Sequence, residues 1–112
     1  MYNKMTIKTN ECLLKKNILK AIETYNKYRS PEAFAKLIDI KEDKTIVKFE
    51  GTFCYTCGIR DWIEDLVYIL MDHGVDAKLV AYIEPPTNND NYRIGIFKIM
   101  NLHGNSYKGD NN

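Results

Sequence analysis

The chain has 112 residues, 45% hydrophobic and 28% charged, which suits one globular core and excludes a wholly disordered chain. Sixteen basic and fifteen acidic residues leave a net charge of +1, so the usual electrostatic case for a nucleic-acid partner is missing unless the chain carries a basic face. No apolar run approaches the ~20 residues that span a bilayer, and polar Met1 to Asn10 lacks the apolar core of a secretory signal, so a cytoplasmic protein without a membrane partner is expected.

Met5-Thr6-Ile7-Lys8 suits either a short strand or an irregular lead-in. Thr9 and Asn10 then offer N-cap side chains for a helix over Glu11 to Tyr28. Leu14, Ile18, Ile22 and Tyr25 recur at steps of four, four and three, which lines up one apolar stripe. Lys15, Lys16, Lys20 and Lys27 share this segment; lysines outside a helix are usually just solvated. Ser30-Pro31 ends the helix, because the residue before proline is pushed away from helical backbone angles. Ala33 to Lys41 and Thr45 to Phe53 follow as two strands about the polar turn Glu42-Asp43-Lys44. In a tight hairpin Ile38 would face Val47.

Gly51 to Gly58 is a turn that carries Cys54 and Cys57. Beyond it Ile59, Trp62, Ile63, Leu66, Val67 and Leu70 predict a second helix, closed after His73 by Gly74 at the C′ position. Trp62 lies on the stripe and reads as core. Asp61, Glu64 and Asp65 fall off it and read as a solvated exterior rather than an acid/base pair. Val75 to Glu84 alternates as a strand, with Ala77, Leu79, Ala81 and Ile83 on one side. After the loop Pro85 to Asn91, Tyr92 to Met100 returns as a last strand, with Gly95 a bulge or close-packing point. Residues 1–100 thus read as a single α+β domain, and the Gly- and Asn-rich stretch 101–112 as a disordered tail. The order α-β-β-α-β-β places two helices on one face of a small sheet. Were Met5 to Lys8 a strand, the order would become the ferredoxin-like β-α-β-β-α-β.

Three cysteines, an odd number, make no disulfide framework. In a reducing compartment a close pair reads as metal, cluster or redox chemistry first. Cys54 and Cys57 fall just before a helix N-terminus, where free amides and the positive end of the dipole favour thiolate over thiol. The C-x-x-C spacing lets both sulfurs reach one metal atom or close a small disulfide. Two sulfurs are too few for a mononuclear zinc or iron site, which generally takes four ligands. Cys12, His73 and His103 are the other candidates, none with partner spacing. Cys12 reads as a small packed side chain on its helix, His73 as a cation at a helix C-terminus, and His103 falls in the tail. The missing ligands would then come from a second copy, giving a homodimer bridged through the cysteine turn. Tyr55, between the cysteines, is expected to be exposed, where it would shield a cluster or contact a partner.

The stretch from Ile18 to Glu84, about three-fifths of the chain, resembles the C-terminal domain of NifU-type iron–sulfur cluster scaffold proteins. The likeness rests on Glu42-Asp43-Lys44-Thr45-Ile46-Val47-Lys48-Phe49-Glu50-Gly51 followed by Cys54 and Cys57: an acidic turn, an alternating strand, a glycine, then the cysteines. It implies a helix, a hairpin, the C-x-x-C turn, a helix and a strand. It also implies that Cys54 and Cys57 of two subunits hold an assembling cluster and pass it to an acceptor protein. This chain differs in placing Thr52 and Phe53, two residues rather than one, between glycine and cysteine, and in having Gly58-Ile59-Arg60-Asp61 where the family has proline and small hydroxyl residues. An iron–sulfur cluster or iron is the expected cargo, with zinc as the other metal that suits the pair. The expected role is a carrier rather than a turnover enzyme. Two alternatives stand beside it: a protein-interaction or regulatory domain with incidental or redox-sensitive cysteines, and a thiol–disulfide oxidoreductase.

Overall fold

The structure, a computed structural model, describes residues 4–52, 58–85 and 91–102. It consists of α1 (Lys4–Arg29), β1 (Phe34–Lys41), β2 (Lys44–Glu50), α2 (Ile59–Asp72), β3 (Val75–Ile83) and β4 (Tyr92–Leu102). This is the expected α+β order. The four strands form one antiparallel sheet in the order β1-β2-β4-β3, with both helices on one face.

The start of α1 departs from expectation. Met5 to Lys8 is helical rather than a strand or lead-in, so the ferredoxin-like β-α-β-β-α-β order does not apply. Thr9 and Asn10 lie inside the helix and do not cap it. Short polar side chains favour caps but are tolerated in a helix interior, so they do not by themselves mark a start. The stripe itself is as the periodicity predicts: Ile18, Ala21, Ile22 and Tyr25 are buried and Leu14 packs against them. Cys12, by contrast, is exposed rather than packed. It stands two positions before Leu14, about 200° around the helix axis from it.

The hairpin turn takes only Glu42 and Asp43, because Lys41 already pairs with Lys44. Val47 faces Leu37, not Ile38. The register shifts between Leu37 and Asp39, so Ile38 forms a bulge and stands half exposed. The β3–β4 register shifts twice, between Asp76 and Ala77 and between Leu79 and Ala81. The latter shift leaves Val80 as a bulge and breaks the alternation of β3. Leu79 is buried, but Tyr82 then packs on the core while Ala81 and Ile83 turn outward. β4 runs to Leu102, two residues past the expected Met100; residues 103–112 lie outside the described ones.

α2 buries Ile63, Leu66 and Leu70 against Val47, Phe49, Leu79 and Phe97. Gly74 follows it with φ 83, the left-handed conformation expected of a C′ glycine. Asn26 ties α1 to the sheet edge. Its amide donates to the Ala35 carbonyl at 2.9 Å and accepts from the Ala35 N–H at 2.6 Å, replacing a missing strand neighbour. No helix among the described residues is long and apolar enough to cross a membrane.

Candidate functional site

The cysteine turn joins two elements whose ends are well defined. β2 stops at Glu50, and Gly51 follows with φ 137. A side chain at Gly51 would collide with the Glu32 carbonyl and come within 3.2 Å of the Ala33 Cα. The Gly51 N–H donates to the Asn91 carbonyl at 3.1 Å, which ties the end of the hairpin to the start of β4. On the far side, Gly58 is the N-cap residue of α2 at φ 78. Its carbonyl accepts from the N–H groups of Asp61 (2.9 Å) and Trp62 (3.3 Å), which closes the first turn of the helix. Glycine offers no side-chain acceptor, so among the described residues no side-chain cap satisfies the first amides of α2. Cys54, Tyr55 and Cys57, the residues on which the sequence focuses, lie outside the described residues. The order of the flanking elements is as expected, but β2 ends at Glu50 rather than at Phe53, because the positive φ of Gly51 turns the chain out of the strand; Gly58, also at positive φ, stands before α2.

The neighbouring groups were not legible in the sequence. A shallow pocket of about 220 Å³ opens beside the start of α2, lined by Arg29, Asp61, Trp62 and Asp65. Arg29, from the last turn of α1, forms an ion pair with Asp65 and stacks over the Trp62 ring, 5.7 Å from its centroid. Asp65 is therefore not simply solvated. Glu64 pairs with Arg60 at 3.4 Å, one helical turn away. Trp62 is half-buried between core and pocket rather than enclosed. The Nε groups of Arg29 and of Arg93 are buried without an acceptor among the described residues. Arg93 pairs with Phe49, two residues before Gly51, so a guanidinium group stands at the same end of the sheet as the cysteine turn.

Beneath the pocket the Tyr25 hydroxyl donates to the Trp62 carbonyl at 2.7 Å. Burial pushes this hydroxyl far above the ordinary tyrosine range; Asp65 adds to the shift and Arg29 opposes it. Tyr25 thus stays protonated in the fold while an unfolded tyrosine ionises near pH ~10. Stability from this group is complete below that pH and declines as pH rises above it. The expected decline is about 1.4 kcal/mol per pH unit beyond that contributed by other groups. Tyr25→Phe should remove this increment while lowering stability at neutral pH by about 1–2 kcal/mol, through loss of the bond to the Trp62 carbonyl. Denaturant titrations of both proteins between pH ~7 and ~11 would show it, and parallel pH profiles would contradict it.

His73 sits at the C-cap of α2, and its Nε2 lies 3.2 Å from the Thr24 Oγ1, which links the two helices. Among the described residues no group of three or more His, Cys, Asp or Glu side chains, Cys12 and His73 included, could hold a metal ion. Comparison of the chain with protein-family models, with curated proteins and with solved structures finds no match, so the reading of this site rests on its own residues.

Proposed function

We propose that the protein is a scaffold or carrier for an iron–sulfur cluster or a soft metal ion, held by the thiolates of Cys54 and Cys57. The observation that carries this reading is the frame around the turn. Two left-handed glycines bracket it, and the helix that follows starts without a side-chain cap. Free amides at a helix start lower the pKa of a preceding thiol, which favours the anionic sulfur that metals bind. One chain offers two such sulfurs, and among the described residues neither Cys12 nor His73 belongs to a group of three or more possible metal ligands. Four-ligand coordination then needs a second copy, with two thiolates from each. The resemblance to NifU-type domains points the same way, and with it a protein acceptor for the cargo.

Anaerobic reconstitution of the full chain with ferrous iron and sulfide should give a brown protein with sulfur-to-iron charge-transfer absorbance. It should carry stoichiometric iron and sulfide and run as a dimer. Cys54→Ser should abolish colour and dimer together, and Cys12→Ser should leave both intact. A wild-type protein that stays colourless and monomeric sinks the proposal.

A further inference from the structure

Summed over the chain the charges nearly cancel, but the strand register separates them. On the sheet face turned away from the helices, Lys41 pairs with Lys44, Lys44 with Lys98, and Lys98 with Lys78. Four lysines therefore form one row across all four strands, roughly 14 Å long at about 4.8 Å per strand. Like charges placed directly opposite destabilise a sheet. Among the described residues only Lys44 of this row has a carboxylate partner, Asp43 at 3.4 Å. The row weakens the fold that carries it, which points to a role in binding.

Beside the row lies the register line Asp39–Ile46–Ile96–Ala81, an apolar floor over β2, β4 and β3 that carries a carboxylate only at its β1 end. The next line is Lys36–Lys48–Ile94–Ile83, so lysines return on the far side over β1 and β2, with Lys48 already paired to Glu50 at 3.2 Å. Lys44 and Lys48 are four residues apart along β2, about 13 Å at the rise of an extended chain. A helix with its side chains is about 10 Å across. We propose that this face seats an acidic amphipathic helix of a partner protein, its apolar stripe on Ile46, Ile96 and Ala81 and its carboxylates against the lysines on either side.

Charge decides against a second copy on the same face, because lysine would meet lysine. The floor decides against single-stranded nucleic acid, whose bases need rings to stack on. The rings of this face, Phe34 and Tyr92, share the line through Glu50 beyond Lys36 and Lys48, and Tyr92 already lies under the Lys48 ammonium at 4.9 Å. The proposal goes beyond the cysteine chemistry and does not depend on it.

The probe is a fluorescein-labelled peptide of about 18 residues, leucine and glutamate arranged as an amphipathic helix, titrated with the full chain at about 0.05 M salt. Saturable binding is expected, weakened about tenfold or more by Lys44→Glu/Lys98→Glu, and less strongly by Lys44→Gln/Lys98→Gln, through loss of charge pairing. A peptide of the same composition with its apolar stripe scrambled should bind about tenfold more weakly. Lys98→Glu alone relieves two like-charge pairs, so its thermal midpoint should rise, which separates lost binding from lost folding. The double variant Cys54→Ser/Cys57→Ser should bind the peptide as the wild type does, so failure here and failure of the scaffold reading are distinguishable. Absence of peptide binding, equal affinity for the scrambled peptide, insensitivity to the lysine variants, or tighter binding of a labelled oligouridylate would each overturn the proposal.

Discussion

Gly51→Ala is expected to lower the stability of the fold by about 3 kcal/mol, far more than a glycine-to-alanine change on a surface turn. The backbone there has φ 137, a region that residues with a Cβ rarely adopt. The space is filled as well. The new methyl group would meet the Glu32 carbonyl head-on and lie 3.2 Å from the Ala33 Cα. Both obstacles are backbone, and neither is loose: Ala33 is fully buried, and its N–H donates to the Arg29 carbonyl at 2.9 Å. Moving Gly51 instead would break its bond to the Asn91 carbonyl. Gly58→Ala is the matched control. It too has a left-handed backbone, φ 78, but the nearest group to an added Cβ is the Asp61 Oδ2 at 3.5 Å, an ordinary contact. Its cost is then conformational alone, about 1 kcal/mol. Denaturant unfolding of the two variants side by side measures the difference; equal losses would show that steric crowding at Gly51 is unimportant.

The elements were legible because periodicity is a local property. Steps of three and four marked α1 and α2, alternation marked β2 and β3, and Gly74 marked the end of α2. What local pattern does not carry is pairing. The bulges at Ile38 and at Val80 leave no trace in residue type, since each inserts one residue into an otherwise apolar-and-polar series, and only the partner strand reveals the shift. The same limit hid the charge row. Lys41, Lys44, Lys78 and Lys98 are scattered over the chain, and a net charge of +1 gave no hint that antiparallel register would align them. It also hid the Arg29–Trp62–Asp65 cluster, where an arginine ending one helix meets an aspartate that looks solvated when its own helix is viewed alone. The C-x-x-C pair was visible as a local motif, and β2 before it and α2 after it follow the expected order.

Phe49→Ala should be the most damaging single change in the sheet, costing about 4 kcal/mol and lowering the thermal midpoint by roughly 20 °C. Phe49 is fully buried at the junction of the helices with β2 and β4. Its ring meets Tyr25 edge-on with centroids 5.5 Å apart and Phe97 at 6.2 Å, so truncation removes two aromatic contacts as well as apolar area. Gly95 explains why the void would not refill easily. It lies opposite Val47 in β4, and a Cβ there would stand 3.0 Å from Phe97, 3.1 Å from Phe49 and 3.2 Å from Ile63. The missing side chain at Gly95 is the space that the three side chains already share. Gly95→Ala alone should therefore cost about 1–2 kcal/mol through overpacking. Phe49→Leu alone should cost about 1.5 kcal/mol, as a partial loss of buried volume. Combined, they should cost less than their sum by about 0.5–1 kcal/mol, because the shorter side chain withdraws one of the three obstructing edges. A double-mutant cycle read by denaturant unfolding checks this. Additivity within about 0.3 kcal/mol would mean that Phe49 does not press on Gly95, and that the tolerance of β4 for its glycine has another cause.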